Sequence, residues 1–209
     1  SGSSGDPIAR ILTLLLATGF ANTTLGESVN FADKTPEQQY NFIKRAFNTK
    51  ITKESISNPL QHRRPFLVIN MHEYRPVPGF PAAGHTLIML QLDDGSYGTI
   101  GFYPKSYASG ALGLMSSFFG GSPGILASPD PISRKLIKGS EILNHVGVAY
   151  NGYLSPHQAK TLSRHLESMS DERKGIQHYR DDDMGNYHPL AMGNTENCLT
   201  WLNSHLGLE

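Results

Sequence analysis

Apolar and polar positions along the 209-residue chain mark out a small set of elements. Phe66-Leu67-Val68-Ile69-Asn70-Met71 is a continuous apolar run of the length of a buried strand. His85-Thr86-Leu87-Ile88-Met89-Leu90-Gln91-Leu92 and Tyr97-Gly98-Thr99-Ile100-Gly101-Phe102-Tyr103-Pro104 flank Asp93-Asp94-Gly95-Ser96, a pattern that predicts a β-hairpin with His85 at the start of its first strand. The strand at 66–71 is expected beside the one carrying His85, and a further strand is expected within Ser140 to Tyr150.

Helix signals are equally local. Thr35-Pro36-Glu37-Gln38 is a capping box followed by Tyr40, Ile43 and Phe47 at helical spacing, and Ser155-Pro156-His157-Gln158 caps a helix through Leu162 and Leu166. Asp6-Pro7 forms an N-cap and N1 pair ahead of Ile8, Ile11, Leu12, Leu15 and Leu16, with Gly19 as the stop. The run at 8–21 reads as a core helix or the apolar part of a signal peptide, and is too short to span a membrane. Ser1 to Gly5, and Leu208-Glu209, read as expression remnants.

Two stretches lack periodicity. Pro76, Pro78, Gly79 and Pro81 predict a stiff loop near His85. Residues 106–131, rich in glycine and proline around Leu114, Met115, Phe118 and Phe119, read as a long insertion between core elements, either a lid or binding surface or a packed irregular loop. The glycines at 120, 121 and 124 are no phosphate cradle, since no Lys-Ser/Thr ending follows.

Composition narrows the chemistry. Hydrophobic residues make up 38 % and charged residues 17 %, enough to fill one core. Eighteen basic residues balance eighteen acidic ones, so no global charge attracts nucleic acid or an anionic membrane. One cysteine excludes an internal disulfide and any cysteine-rich zinc site, and leaves either redox compartment open. His72-Glu73 is not completed to a zincin motif, and His178, Asp181, Asp182, Asp183 and His188 fit an exposed polar loop. The expectation is therefore no metal and no cofactor.

That single cysteine, Cys198, lies in Asn194-Thr195-Glu196-Asn197-Cys198-Leu199-Thr200-Trp201-Leu202, where capping residues run into an apolar helical pattern. A thiol in the first turn of a helix is stabilised as thiolate by the macrodipole and the unpaired N–H groups. It is either a nucleophile or a small buried hydrophobe. A nucleophile needs a base, which His85 on a rigid strand could supply, with His145 as the alternative.

Gly84-His85-Thr86-Leu87-Ile88, Gly101-Phe102-Tyr103-Pro104, Tyr187-His188-Pro189-Leu190 and Asn197-Cys198-Leu199-Thr200-Trp201, in that order, resemble the circularly permuted papain-fold thiol hydrolases and acyltransferases. These are relatives of bacterial cell-wall cysteine peptidases and of lecithin:retinol acyltransferase. The resemblance covers residues 66 to 206 and implies Cys198 as nucleophile and His85 as general base. It implies an α+β fold in which a mainly antiparallel sheet packs against the cysteine helix, with residues 6–65 as an N-terminal helical extension and 66–207 as the thiol-enzyme domain.

The third, orienting residue does not carry over. Pairing the hairpin around Asp94-Gly95 sets Pro104 opposite His85, and proline has no group to orient an imidazole. A bulge or diagonal contact would bring in Tyr103 or Ser106, while His145 or one of Asp181 to Asp183 would approach from elsewhere. The oxyanion donors expected are the Cys198 N–H and a side chain, Asn197 or Tyr187.

The expected activity is hydrolysis or acyl transfer at an amide, isopeptide or ester bond, as a protease or amidase, with a protein, peptide or acyl substrate. A secreted location is favoured, a bacterial effector or toxin domain is a further reading, and no transmembrane segment is expected. The competing reading is a noncatalytic interaction module with a degenerate papain-like site.

Overall fold

The computed structural model describes residues 35–58, 64–71, 85–106, 121–136, 146–188 and 190–206. The predicted first helix at 8–19, the proline-rich loop, residues 107–120 of the insertion and His145 lie outside these. The described elements run α1 (Pro36–Phe47), β1 (Arg64–Met71), β2 (His85–Gln91), β3 (Tyr97–Pro104), β4 (Ser122–Ser128), α2 (Pro131–Leu136), β5 (Val146–Leu154), α3 (Pro156–Glu167), β6 (Ser170–Arg173), β7 (Ile176–Tyr179), β8 (Asn186–Tyr187), β9 (Thr195–Glu196) and α4 (Cys198–Leu206). The class is α+β.

Both predicted capping boxes form. Thr35 accepts from Gln38 N at 3.3 Å while the Gln38 side chain accepts from Thr35 N at 2.9 Å, and Ser155 and Gln158 make the same exchange. From α1, Ile43 and Phe47 enter the core and Phe42 meets Tyr97 edge-on at 5.2 Å, so this helix docks on β3. Ile51 and Ile56 belong to the same apolar cluster as Phe66, Ile88, Phe102 and Trp201. Residues 36–58 thus share the core of the sheet.

The strands follow the order β5-β1-β2-β3-β4-β7-β6, with β8 on β4 and β9 on β8. Pairing is antiparallel except for β8 with β9. As the apolar run predicts, β1 lies beside β2, with Met71 opposite His85. Five central residues of β1 and β2, Leu67, Ile69, Leu87, Ile88 and Met89, are fully enclosed, each contributing about 1.5–3 kcal/mol by burial.

Two readings are corrected. The hairpin does not turn on two residues: Gln91 pairs with Tyr97, Leu92 N donates to Ser96 O, and Gly95 N donates to Leu92 O with Gly95 at φ 84°. This is a three-residue loop closed by a left-handed glycine, which slips the register by one residue. Continued beyond the pair Ile88 and Ile100, the register sets Tyr103, not Pro104, level with His85. Second, residues 122–128 are not part of a loop. Ile125, Leu126 and Ala127 are buried in β4, a strand between β3 and β7.

Arg64, adjacent to Arg63 in a basic pair, is buried at the start of β1. Its guanidinium donates to Gln91 O at 2.7 Å and pairs with Asp93 Oδ1 at 2.5 Å, while Asp93 Oδ2 accepts from Asn58 N. Truncating Arg64 removes the cation paired with Asp93 Oδ1 and the side-chain donor to the Gln91 carbonyl. Arg64→Ala is expected to lower the unfolding free energy by about 3 kcal/mol, read from the urea midpoint at unchanged slope; a loss under about 1 kcal/mol would contradict it.

Candidate active site

The site is built where the first residue of β2, the first residue of α4 and the β4–α2 connection meet. Cys198 is the N1 residue of α4, and Asn197 is its cap: Asn197 Oδ1 accepts from Leu199 N at 3.1 Å and Thr200 N at 2.9 Å. Trp201, one turn on, stacks on Phe102 of β3 at 5.4 Å and anchors the helix to the sheet. Cys198 and His85 are both nearly enclosed, and the His85 ring and the Thr86 N–H act together on the ionisation of the sulfur.

The residue that orients His85 is Asp130. Its Oδ2 lies 2.8 Å from His85 Nε2, and the carboxylate is completely buried. Local structure holds it there. Asp130 is the N-cap of α2, with Oδ1 accepting from Ile132 N and Ser133 N at 3.0 Å each and Pro131 at N1. Its own N–H donates to Thr99 Oγ1 at 3.0 Å, and Ser128 Oγ donates to Thr99 O at 2.6 Å, which ties this connection to β3.

Tyr103 completes the group. Its hydroxyl donates to the Asp130 carboxylate at 2.8 Å, and its oxygen sits 2.8 Å from His85 Nε2. One phenolic proton serves one carboxylate oxygen at a time, so the contact with Nε2 uses a lone pair and requires Nε2 to carry hydrogen. Nδ1 is then the ring nitrogen left to the sulfur. Below this cluster, β3 has a glycine where a side chain cannot fit: a Cβ on Gly101 would stand 2.2 Å from Asp130 Oδ2 and 2.9 Å from the Tyr103 ring.

Electrostatics favour charge separation between Cys198 and His85. Burial alone would lower the His85 pKa, but the charge and hydrogen bond of Asp130, with those of Cys198, raise it well above 6.5. Burial pushes the Cys198 thiol up, yet the His85 hydrogen bond and charge and the Thr86 N–H outweigh it, and the thiol falls below its ordinary 9.0. The arrangement favours a thiolate–imidazolium pair over two neutral groups.

Among the other predicted residues, Ser106 has a buried hydroxyl without a hydrogen bond among the described residues, so it does not orient His85. Asp181 bonds His165 at 2.7 Å, and Asp182 and Asp183 are exposed in a short helical turn. Tyr187 packs against Phe102 at 5.6 Å; burial, with the charge of Cys198, raises its phenol pKa and keeps it a donor. Asn197 spends its carbonyl oxygen on the helix cap. Among the described residues no group of three or more His, Cys, Asp or Glu could hold a metal ion, and no helix is long and apolar enough to cross a membrane.

Asp130 escaped the sequence reading because Ser128-Pro129-Asp130-Pro131 looks like the end of a proline-rich loop. The available signal was Asp-Pro itself, the same N-cap and N1 pair as Asp6-Pro7. The chain matches no family model, no curated protein and no solved structure.

Proposed function

We propose that this protein is a thiol hydrolase or acyltransferase of the permuted papain-like kind, working through Cys198, His85 and Asp130. The observation that carries the reading is the buried carboxylate of Asp130 on His85 Nε2, on a ring whose ionisation is coupled to that of Cys198. The noncatalytic alternative drew its support from a missing orienter, and Asp130 occupies that position. The chain order, histidine strand before cysteine helix, agrees with the permuted arrangement.

The chemistry follows from the geometry. The Cys198 thiolate attacks a carbonyl carbon, a sulfur–carbon bond forms, and the carbonyl π electrons move to oxygen. As N1 of α4, the Cys198 N–H has no acceptor within the helix and is available to that oxygen, with the Tyr187 hydroxyl as the second donor of this reading. Collapse expels the amine or alcohol, which takes the proton from His85. Water or an amine, deprotonated by His85, then displaces the thiolate from the thioester. Asp130 fixes the ring throughout.

Incubation with p-nitrophenyl acetate tests this directly. Intact-mass spectrometry should catch one acetyl group on Cys198 that disappears with time, and His85→Ala should slow its formation by about 100-fold or more. An equal rate of acetylation in the two proteins would remove His85 from the reaction, and no adduct at all would remove the nucleophile.

A further inference from the structure

A second buried histidine, which the thiol chemistry does not use, packs against the cysteine helix. His165, in the last turn of α3, is fully enclosed, and its Nδ1 lies 2.7 Å from Asp181 Oδ2 in the connection that follows β7. Its ring meets two residues of α4 edge-on, Trp201 at 5.6 Å and His205 at 5.5 Å. His205 stacks on Trp201 at 4.8 Å, and Trp201 in turn stacks on Phe102. Ring packing against α3 and β3 is thus what seats α4.

The two histidines are equipped for opposite protonation states. The Asp181 carboxylate accepts, so His165 Nδ1 carries hydrogen, while His165 Nε2 is buried with no hydrogen-bond partner among the described residues. A neutral ring leaves Nε2 bare; a protonated ring would bury an N–H that has no acceptor. His205 differs. Its Nε2 faces Asp183 O at 3.3 Å, and its Nδ1 faces Trp201 O at 3.2 Å and Glu196 Oε2 at 3.5 Å, so acceptors stand at both nitrogens.

The charges around His165 act in the same sense. Burial outweighs the Asp181 carboxylate and holds this imidazole below its ordinary 6.5, with His205 and Arg164 opposing another positive charge. The strands packed on α3 carry Tyr153 on β5 and, on β7, His178, engaged by Asp171, and Tyr179, which donates to Ile51 O. None of these is a carboxylate that would favour a charged His165. Because the folded protein holds the pKa below the unfolded value, the stability this ring contributes is complete above the ordinary 6.5 and is lost as pH falls through the folded value.

On the reading of Cys198 as the nucleophile, we propose that His165, Asp181 and His205 form an acid-sensitive latch on the cysteine helix: neutral His165 holds α4 against α3, and acid releases it and slows the thiol. The coupling is mechanical. Cys198, Trp201 and His205 share one nine-residue helix, whereas His85 sits on β2, so loosening α4 moves the sulfur relative to its base.

Trp201 is the only tryptophan of the chain, so its emission reads the latch in the full-length protein. Titrated from about pH 7.5 to about pH 5, wild-type emission should change with a midpoint below 6.5. His85 stays protonated over this range, its pKa being pushed up to about 10. Acylation of Cys198 by p-nitrophenyl acetate should fall across the range by about tenfold more in wild type than in His165→Leu, which should also lose the emission change. His205→Gln removes a charge that opposes protonation of His165, so its transition should persist with the midpoint moved to higher pH, a shift that a ring used only for packing would not produce. Should His165→Leu fail to fold, the wild-type and His205→Gln titrations decide alone. No transition in wild type, an unchanged transition or an equal fall in acylation in His165→Leu, or loss of the transition in His205→Gln would overturn the latch and leave the nucleophile standing. A transition with no acylation at any pH would overturn the nucleophile and, with it, the control of the thiol.

Discussion

Asparagine in place of Asp130 is expected to slow acylation of Cys198 by about 100-fold or more while the protein remains folded. The reason is the number of donors already pointed at this carboxylate. Oδ1 receives Ile132 N and Ser133 N, and Oδ2 receives His85 Nε2, with the Tyr103 hydroxyl shared between the two. An amide has one acceptor oxygen and one NH2 group. Turned toward the helix, the oxygen keeps the cap and sets NH2 against the histidine N–H; turned the other way, it keeps the histidine and sets NH2 against two backbone donors. The first orientation deprives His85 of its anion, and the second unseats α2 at a cost of about 1–3 kcal/mol. Acylation by p-nitrophenyl acetate and thermal unfolding, measured on the same preparation, distinguish these. A variant within about threefold of the wild-type acylation rate would show that Asp130 only caps a helix.

Gly101→Ala attacks the same carboxylate from below. The added methyl would stand 2.2 Å from Asp130 Oδ2 and 2.9 Å from the Tyr103 ring, so the carboxylate must move. Overpacking of this kind costs about 1–3 kcal/mol, or roughly 5 °C in melting temperature for a chain of this size. Gly98→Ala provides the comparison, because its Cβ would instead press on the Ile51 side chain and Thr49 O at 2.9 Å, away from the thiol. Both substitutions should destabilise; Gly101→Ala alone should slow acylation in the folded fraction, by about tenfold or more. Equal loss of stability with equal acylation rates would mean that Gly101 is required for packing and not for holding Asp130.

What the sequence disclosed was the part that short-range physics decides. The capping boxes at Thr35 and Ser155, and the cap at Asn197 ahead of Cys198, are exchanges between residues two or three apart, so their residue types suffice to predict them. His85 heads its strand, and the apolar run at 66–71 pairs beside it, because continuous burial leaves few alternatives. The register of the hairpin was not legible in the same way. Asp93-Asp94-Gly95-Ser96 supports either a two-residue or a three-residue turn, and the difference of one position decides whether Pro104 or Tyr103 stands level with His85.

The orienting carboxylate was hidden by a different cause. Pro123, Gly124, Pro129 and Pro131 surround only three consecutive apolar residues of β4, and local preference there favours a loop. The strand exists because β3 and β7 pair on either side of it, and that is a tertiary decision. Arg64 shows the same limit from the polar side: as one of two adjacent arginines it reads as surface, and only the distant Asp93 and Gln91 carbonyl make its burial tolerable.

The central claim is that Cys198 and His85 ionise as a pair, and the ultraviolet absorbance of the thiolate followed against pH measures it most directly. Because the thiol pKa is lowered and the imidazole pKa is raised, the ion pair should exist from below the ordinary thiol range up to the pH at which His85 loses its proton. Wild-type protein should therefore show thiolate absorbance well below the ordinary thiol range, and His85→Ala should lose it there and regain it only above that range. Absorbance that rises only near the ordinary thiol pKa of 9.0, at the same pH in both proteins, would contradict the pairing and leave Cys198 a buried apolar residue.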